Sequence, residues 1–209
     1  METLAQSVRR CYALRPECVQ RECQVFSRLE RDRVRVCSMA QAMVCIVMGS
    51  ANDWPIMQGA AEILGRFHIP YEVVVSSAHR APQRTATLAR EAAQRGVQVL
   101  IAGAGGAAAL AGVIAAETTL PVIGVPIDSS SLQGLDALLA TVQMPQGVPV
   151  ATVAIGKAGA ANAGILATQI LALQDPELAA RLRQYKTELA TGVERASTTL
   201  QAQLQAQVR

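Results

Sequence analysis

Two histidines occur in the 209 residues, at positions 68 and 79, and only the second has neighbours that suggest proton chemistry. His79 stands in Ser76-Ser77-Ala78-His79-Arg80-Ala81-Pro82, between an apolar run and a helix start announced by Pro82. An imidazole titrates near pH 6.5, so it can both give and accept a proton at neutral pH. Two readings stay open from the residues alone: a general acid and base at the rim of a site, or a histidine that packs its loop. His68 lies in a Phe-His-Ile-Pro turn and reads as structural or solvated.

Ser50 and Asp53 fall one helical turn apart at the start of the first helix. Asp53 could accept from ribose hydroxyls and Ser50 could donate to a phosphate, yet helix capping accounts for both without a ligand. Arg80 offers either a planar fork of donors for a phosphate or a partner for an acid within its loop. Lys157 is one of only two lysines, and a solvated surface role accounts for it without a ligand.

Five segments are rich in small residues: Met48 to Asp53, Ser76 to Arg80, Ala102 to Gly106, Gly124 to Pro126 and Gly156 to Asn162. Each follows or closes an expected strand. Small residues let backbone approach a ligand, and a helix starting there presents free N–H groups to an anion, so the set favours phosphate. Spacing rejects two look-alikes. The GAGG run lacks the third glycine of a dinucleotide fingerprint, and GKAGAAN lacks the upstream glycine of a P-loop.

The elements that must carry these segments follow from periodicity. Short apolar runs at Val44 to Met48, Tyr71 to Val75, Gln98 to Ala102, Val122 to Val125 and Val150 to Ile155 read as five strands. Helical patterns alternate with them at Asp53 to Phe67, Pro82 to Arg95, Ala107 to Glu117, Gly134 to Thr141 and Ala160 to Leu173. Such alternation requires crossovers, hence a single-domain α/β fold in three αβα layers with a parallel sheet. In an open parallel sheet ligands bind outside the carboxyl ends of the strands, where all five small-residue segments lie. Beyond Asp175-Pro176 a polar segment with Leu178, Leu182, Tyr185 and Leu189 is helical in its first half, and its thin apolar stripe suggests a partner-facing element.

Composition removes several function classes. Hydrophobic residues make up 51% of the chain and aromatic ones only 3%, so the core is built from small and β-branched side chains. The net charge of +3 comes from residues 1–42, with eight arginines against five acids, while the remainder carries eleven of each sign. A neutral, aromatic-poor body argues against nucleic-acid binding. The five cysteines, at 11, 18, 23, 37 and 45, form no C-x-x-C pair and have no histidine nearby, which argues against zinc and against a disulfide framework. No apolar run reaches the roughly 20 residues that span a bilayer. A soluble, cytoplasmic protein is expected. Residues 1–42 read as a start placed too far upstream, a disordered or loosely helical extension, or a targeting segment, the acids speaking against the last.

From Met43 to Gln184 the sequence resembles the PurE family, class I N5-carboxyaminoimidazole ribonucleotide mutases. MGSANDW resembles the family's MGS-x-SD-W, SSAHRAP its SAHRTP, AGAGGAA its AGAGGAA, and QMPQGVPVATVAIGKAGAANA its closing signature. The resemblance implies a flavodoxin-like three-layer fold, and the residues place that domain over 43–175 with a C-terminal helical segment over 176–209. It also implies a homo-octamer with sites at subunit contacts, and no metal or organic cofactor. By motif position Ser50, Asp53 and Arg80 bind the ribonucleotide, with Asn52, Ser77, Ala78 and Gly103 beside them, and His79 is the general acid and base. The implied reaction releases the N5-carboxylate as trapped carbon dioxide, which the substrate's carbon 4 captures while His79 removes the displaced proton.

Four positions depart from the pattern. Ala109 and Ala111 replace the His and Pro of the family's GGAAHLPG, Asn52 replaces a serine, and Asp128 stands where Gln is usual. Ala109 supports an alternative, a ribonucleotide-binding assembly protein without turnover. A carboxylase using free carbon dioxide is a third reading, which the GAGGAA and QMP signatures disfavour.

Overall fold

The structure is a computed structural model that describes residues 41–207; most of the 1–42 segment read above, and the last two residues, lie outside the described part. Strand β1 (Val44–Met48) is buried at every position. It pairs in parallel with β2 (Tyr71–Val75) on one side and β3 (Val99–Gly105) on the other. Beyond β3 come β4 (Val122–Ile127) and β5 (Ala151–Thr152), giving the order β2-β1-β3-β4-β5. This is the flavodoxin-like order, in which the direction of winding reverses between β1 and β3.

Alternation along the strands sorts the core into two layers. Val44, Ile46 and Met48 face the helices α1 (Trp54–Arg66) and α5 (Gly156–Leu171), meeting Met57, Leu64, Ala160 and Ala163. Cys45, Val47, Leu100 and Ala102 face α2 (Pro82–Glu91) and α3 (Leu110–Glu117), meeting Ala89, Ala111 and Ile114. Helix α4 (Leu135–Val142) joins the second layer, with Thr141 and Ala111 both over Gly124. Each large side chain buried in full, Leu64 or Ile101 for example, stabilises the fold by about 1.5–3 kcal/mol.

The interface between α1 and α5 is tight because small residues line it. A β-carbon on Gly164 would stand 2.9 Å from the Ala60 carbonyl oxygen and 2.9 Å from Ile63 Cβ. Helix α6 (Pro176–Gln207) starts at an Asp175 cap, whose Oδ1 accepts from the N–H groups of Glu177 and Leu178 at 3.0 Å. Its first turns pack Leu178, Leu182 and Tyr185 on the α1 layer. The Tyr185 ring meets Phe67 edge-on at 5.6 Å, and the Arg66 guanidinium lies 4.6 Å from its centroid.

Five strands and the alternation follow the periodicity, but boundaries move. Strand β3 runs through Gly105, three residues past the expected end, because alanine and glycine fit a strand buried between two layers. Strand β5 is only two residues at the sheet edge, and α5 begins four residues early, at Gly156 with φ +73°. Helix α3 begins at Leu110 rather than Ala107, since Gly106 (φ +60°) and Ala108 (φ +30°) turn the chain first. Helix α6 continues to Gln207, well beyond the expected half.

Candidate active site

A cavity of about 380 Å³ opens at the carboxyl ends of β1, β3 and β4, where the winding reverses. Its lining combines the turns after β1 (Gly49, Ser50, Asp53) and β2 (Ser77, Ala78, His79, Arg80) with Ala104 and Gly105 of β3. The turn before α3 (Ala108, Ala109, Leu110) and Ser129 after β4 complete it.

The first turn is built by a reciprocal cap. Ser50 Oγ accepts from the Asn52 N–H at 3.2 Å, and the Ser50 N–H donates to Asp53 Oδ2 at 3.0 Å. Asp53 is only 9% exposed. Burial raises its carboxyl above the ordinary value, against the opposing pull of the Ser50 hydrogen bond and the Arg80 charge.

The second turn is anchored from below. Ser76 is buried, its N–H donates to the Met48 carbonyl at 2.9 Å, and its hydroxyl meets Thr85 Oγ1 at 2.8 Å. The Ala81 N–H closes the turn on the Ser77 carbonyl at 2.8 Å. Arg80 donates through Nη2 to the Gly49 carbonyl at 3.0 Å and through Nε to Ser77 Oγ at 3.3 Å. His79 rides on this turn, exposed at the cavity rim.

Ser50, Asp53, Ser77, Ala78, His79 and Arg80 therefore converge on one cavity. Asn52 and Gly103 lie outside its lining. Asn52 is exposed on the 3-10 turn, and Gly103 is buried within β3, where a β-carbon would strike Met57 and where its carbonyl accepts from the Gly49 N–H at 3.3 Å. Gly103 thus holds the floor of the first turn. Among the described residues no three His, Cys, Asp or Glu side chains group as metal ligands. Chemically, the cavity joins a cation, four hydroxyl or carboxyl groups and one exposed imidazole to a wall of methyl groups.

A family model for AIR carboxylase matches residues 43–191. The chain belongs to the AIR carboxylase family. Its relatives include N5-carboxyaminoimidazole ribonucleotide mutases from Aliivibrio fischeri and Escherichia coli K12, 55% and 56% identical over 145 residues. These matches cover 69% of this chain and 90% and 86% of those proteins. The mutase of Bacillus subtilis is 57% identical over 142 residues, covering 68% of this chain and 88% of its own. Among solved structures, Treponema denticola PurE superposes with a TM-score of 0.68 at 28% identity, covering 75% of this chain and 97% of that one.

In this member of the AIR carboxylase family, Gly49, Ala104, Gly105, Ala108, Leu110 and Ser129 also line the cavity, and the motif reading did not single out Ser129. The available signal was the end of β4. The strand continues to Ile127, so the residue that lines the cavity beyond β4 is Ser129 rather than any of Gly124 to Pro126. Ala109 lies in the cavity wall, so the position where the PurE pattern carries histidine presents a methyl group. Elsewhere, a shallow groove of about 510 Å³ along α6 offers only Glu194 and Arg195 among threonines, with no convergent group.

Proposed function

We propose that this chain is an N5-carboxyaminoimidazole ribonucleotide mutase of purine biosynthesis, a class I PurE enzyme acting in the cytoplasm without a metal or organic cofactor. The observation that carries the reading is the placement of His79 and Arg80 on one anchored turn facing Ser50 and Asp53 across a single cavity. The 55–57% identical relatives that bear the mutase name support the substrate.

In this reading Arg80, Ser50 and Ser77 hold the phosphate, and Asp53 accepts from the ribose hydroxyls. The N5–carbon bond of the carbamate breaks and its electron pair stays on N5, which takes a proton from the His79 imidazolium. Carbon dioxide, confined against the alanine wall, is attacked by carbon 4 of the aminoimidazole. The new C–C bond forms and the carbon 4 proton returns to the His79 imidazole, so the proton count closes. A positioned acid and base contributes roughly 10² to 10⁴ in rate.

Self-association belongs to the proposal, with a homo-octamer as the expected state. Two exposed apolar surfaces support it. Tyr71, Val73 and Val75 lie at 38–42% exposure on the edge strand β2. Along α6 apolar residues recur every eleven positions, Leu178, Leu189 and Leu200 in one row and Leu182, Val193 and Leu204 in the next. The first pair is packed on the core, and the later four are 52–71% exposed. An eleven-residue period is about 3.67 residues per turn, so the stripe winds slowly around the helix in the sense of a right-handed supercoil.

The deciding assay supplies N5-carboxyaminoimidazole ribonucleotide without ATP and follows the carbon 4 carboxylated product. Wild type turns over, and His79→Asn loses at least a hundredfold in kcat while binding the substrate. Full activity in His79→Asn would overturn the acid and base assignment. A silent wild type revived by Ala109→His would instead establish the impaired, assembly-type reading that Ala109 favours.

A further inference from the structure

We propose that Ser129 is a substrate-positioning residue whose hydroxyl holds the carboxyl group in transit, an inference that rests on the mutase reading above. Strand β4, which ends just before Ser129, lies three strand spacings from β2, which carries the Arg80 turn. At about 4.8 Å per spacing that is roughly 14 Å across the sheet, room for a ribonucleotide whose imidazole lies between His79 on the β2 turn and Ser129 beyond β4.

The β4 end of the cavity is poor in side-chain donors. Ala104, Gly105, Ala108, Ala109 and Leu110 contribute only methyl groups, an isobutyl group and backbone, so Ser129 carries the one polar side chain on that wall. Ser129 is exposed on its solvent side and set against the β3 backbone on the other. The space that a β-carbon on residue 105 would need is taken by the Ser129 hydroxyl oxygen, with Ser129 Cβ 3.0 Å from the same point. Glycine at 105 is what lets the hydroxyl lie flat against the β3 backbone. The neighbouring Ser130 spends its oxygen on the local turn, accepting from the Leu132 N–H at 3.2 Å. Among the described residues the Ser129 hydroxyl has no hydrogen-bond partner, so its donor is available to a ligand.

A carboxylate or carbon dioxide offers acceptors only. A methyl-lined wall with one hydroxyl suits a small, weakly hydrated group that must be held in place without being held tightly. Ser129 therefore retains carbon dioxide between bond breaking at N5 and bond making at carbon 4, and its loss lets the intermediate escape.

The test uses the full-length protein and substrate carrying ¹³C in the N5-carboxyl group, in buffer with unlabelled bicarbonate. Wild type keeps the label in its product and releases little aminoimidazole ribonucleotide. Ser129→Ala, which removes one oxygen and leaves the Gly105 contact relaxed, is expected to release about tenfold more of that decarboxylated species and to lose label. KM should stay within about twofold and the melting temperature should hold, the cost being that of one hydrogen bond. Equal label retention in variant and wild type, or a raised KM with unchanged partitioning, would overturn the role for Ser129 and leave the mutase reading standing. A wild type that makes no carboxylated product would overturn both.

Discussion

The Arg80 guanidinium donates to the Gly49 carbonyl oxygen at 3.0 Å, pinning the turn after β2 to the turn after β1. One side chain thus supplies the cation of the site and fixes the spacing of its two walls. Lysine keeps the charge but not the planar fork that reaches Gly49 and Ser77 together. Arg80→Lys is expected to raise KM for the ribonucleotide by about 10- to 100-fold, the range for losing a charge-assisted hydrogen bond. Steady-state kinetics with KM within twofold of wild type would remove Arg80 from phosphate binding.

Asp53 is costly to ionise where it sits. Its folded-state pKa is raised chiefly by burial, so the protonated form is the one the fold favours. The sign follows: stability is fullest below the ordinary carboxylate pKa and declines as pH rises through the raised value. Asn keeps an acceptor for the Ser50 N–H without the charge. The stability of Asp53→Asn relative to wild type should grow from about pH 4 upward in urea titrations, while ribonucleotide affinity falls. A difference that is flat or shrinks with pH would contradict the burial argument.

Gly164 decides how closely α5 approaches α1. A methyl group there would press on the Ala60 carbonyl oxygen and Ile63 Cβ, both at 2.9 Å. Alanine gains about 1 kcal/mol in helix propensity, yet overpacking costs about 1–3 kcal/mol and Ile63 branches at the contact. Gly164→Ala is expected to be net destabilising in chemical denaturation, and Gly164→Val more so. A stabilised Gly164→Ala would show that the two helices slide apart freely.

The outer part of α6 tests self-association. Val193 and Leu200 lie on the exposed continuation of the stripe whose first turns are packed on the core. Val193→Glu with Leu200→Glu places charge on that stripe without touching the cavity. Sedimentation should show a smaller or weaker assembly, with the circular dichroism of the monomer retained. An unchanged assembly would assign the interface elsewhere, with the β2 face as the remaining apolar surface.

Much of the fold was legible because hydrophobic period is local. Val44 to Met48 and Tyr71 to Val75 appear as strands at the expected residues, and the small-residue turns after them fall at their ends, whereas Ala102 to Gly105 and Gly124 to Pro126 lie within β3 and β4. Boundaries were less legible where glycine and alanine dominate, as at Ala102 to Gly105 and Gly156 to Gly159, since such residues suit strand, turn and helix alike and packing chooses among them.

The order of residues by itself determined the alternating elements, the anchored Ser-Ser-Ala-His-Arg turn and the resemblance to the PurE pattern. Only the tertiary structure decided which of these groups share a cavity. It set Asn52 and Gly103 outside, and it brought Ser129 against Gly105 from 24 positions away. The reason is physical: strand order and register are fixed by burying both faces of the sheet, and no local pattern around Ser129 records that β4 lies beside β3.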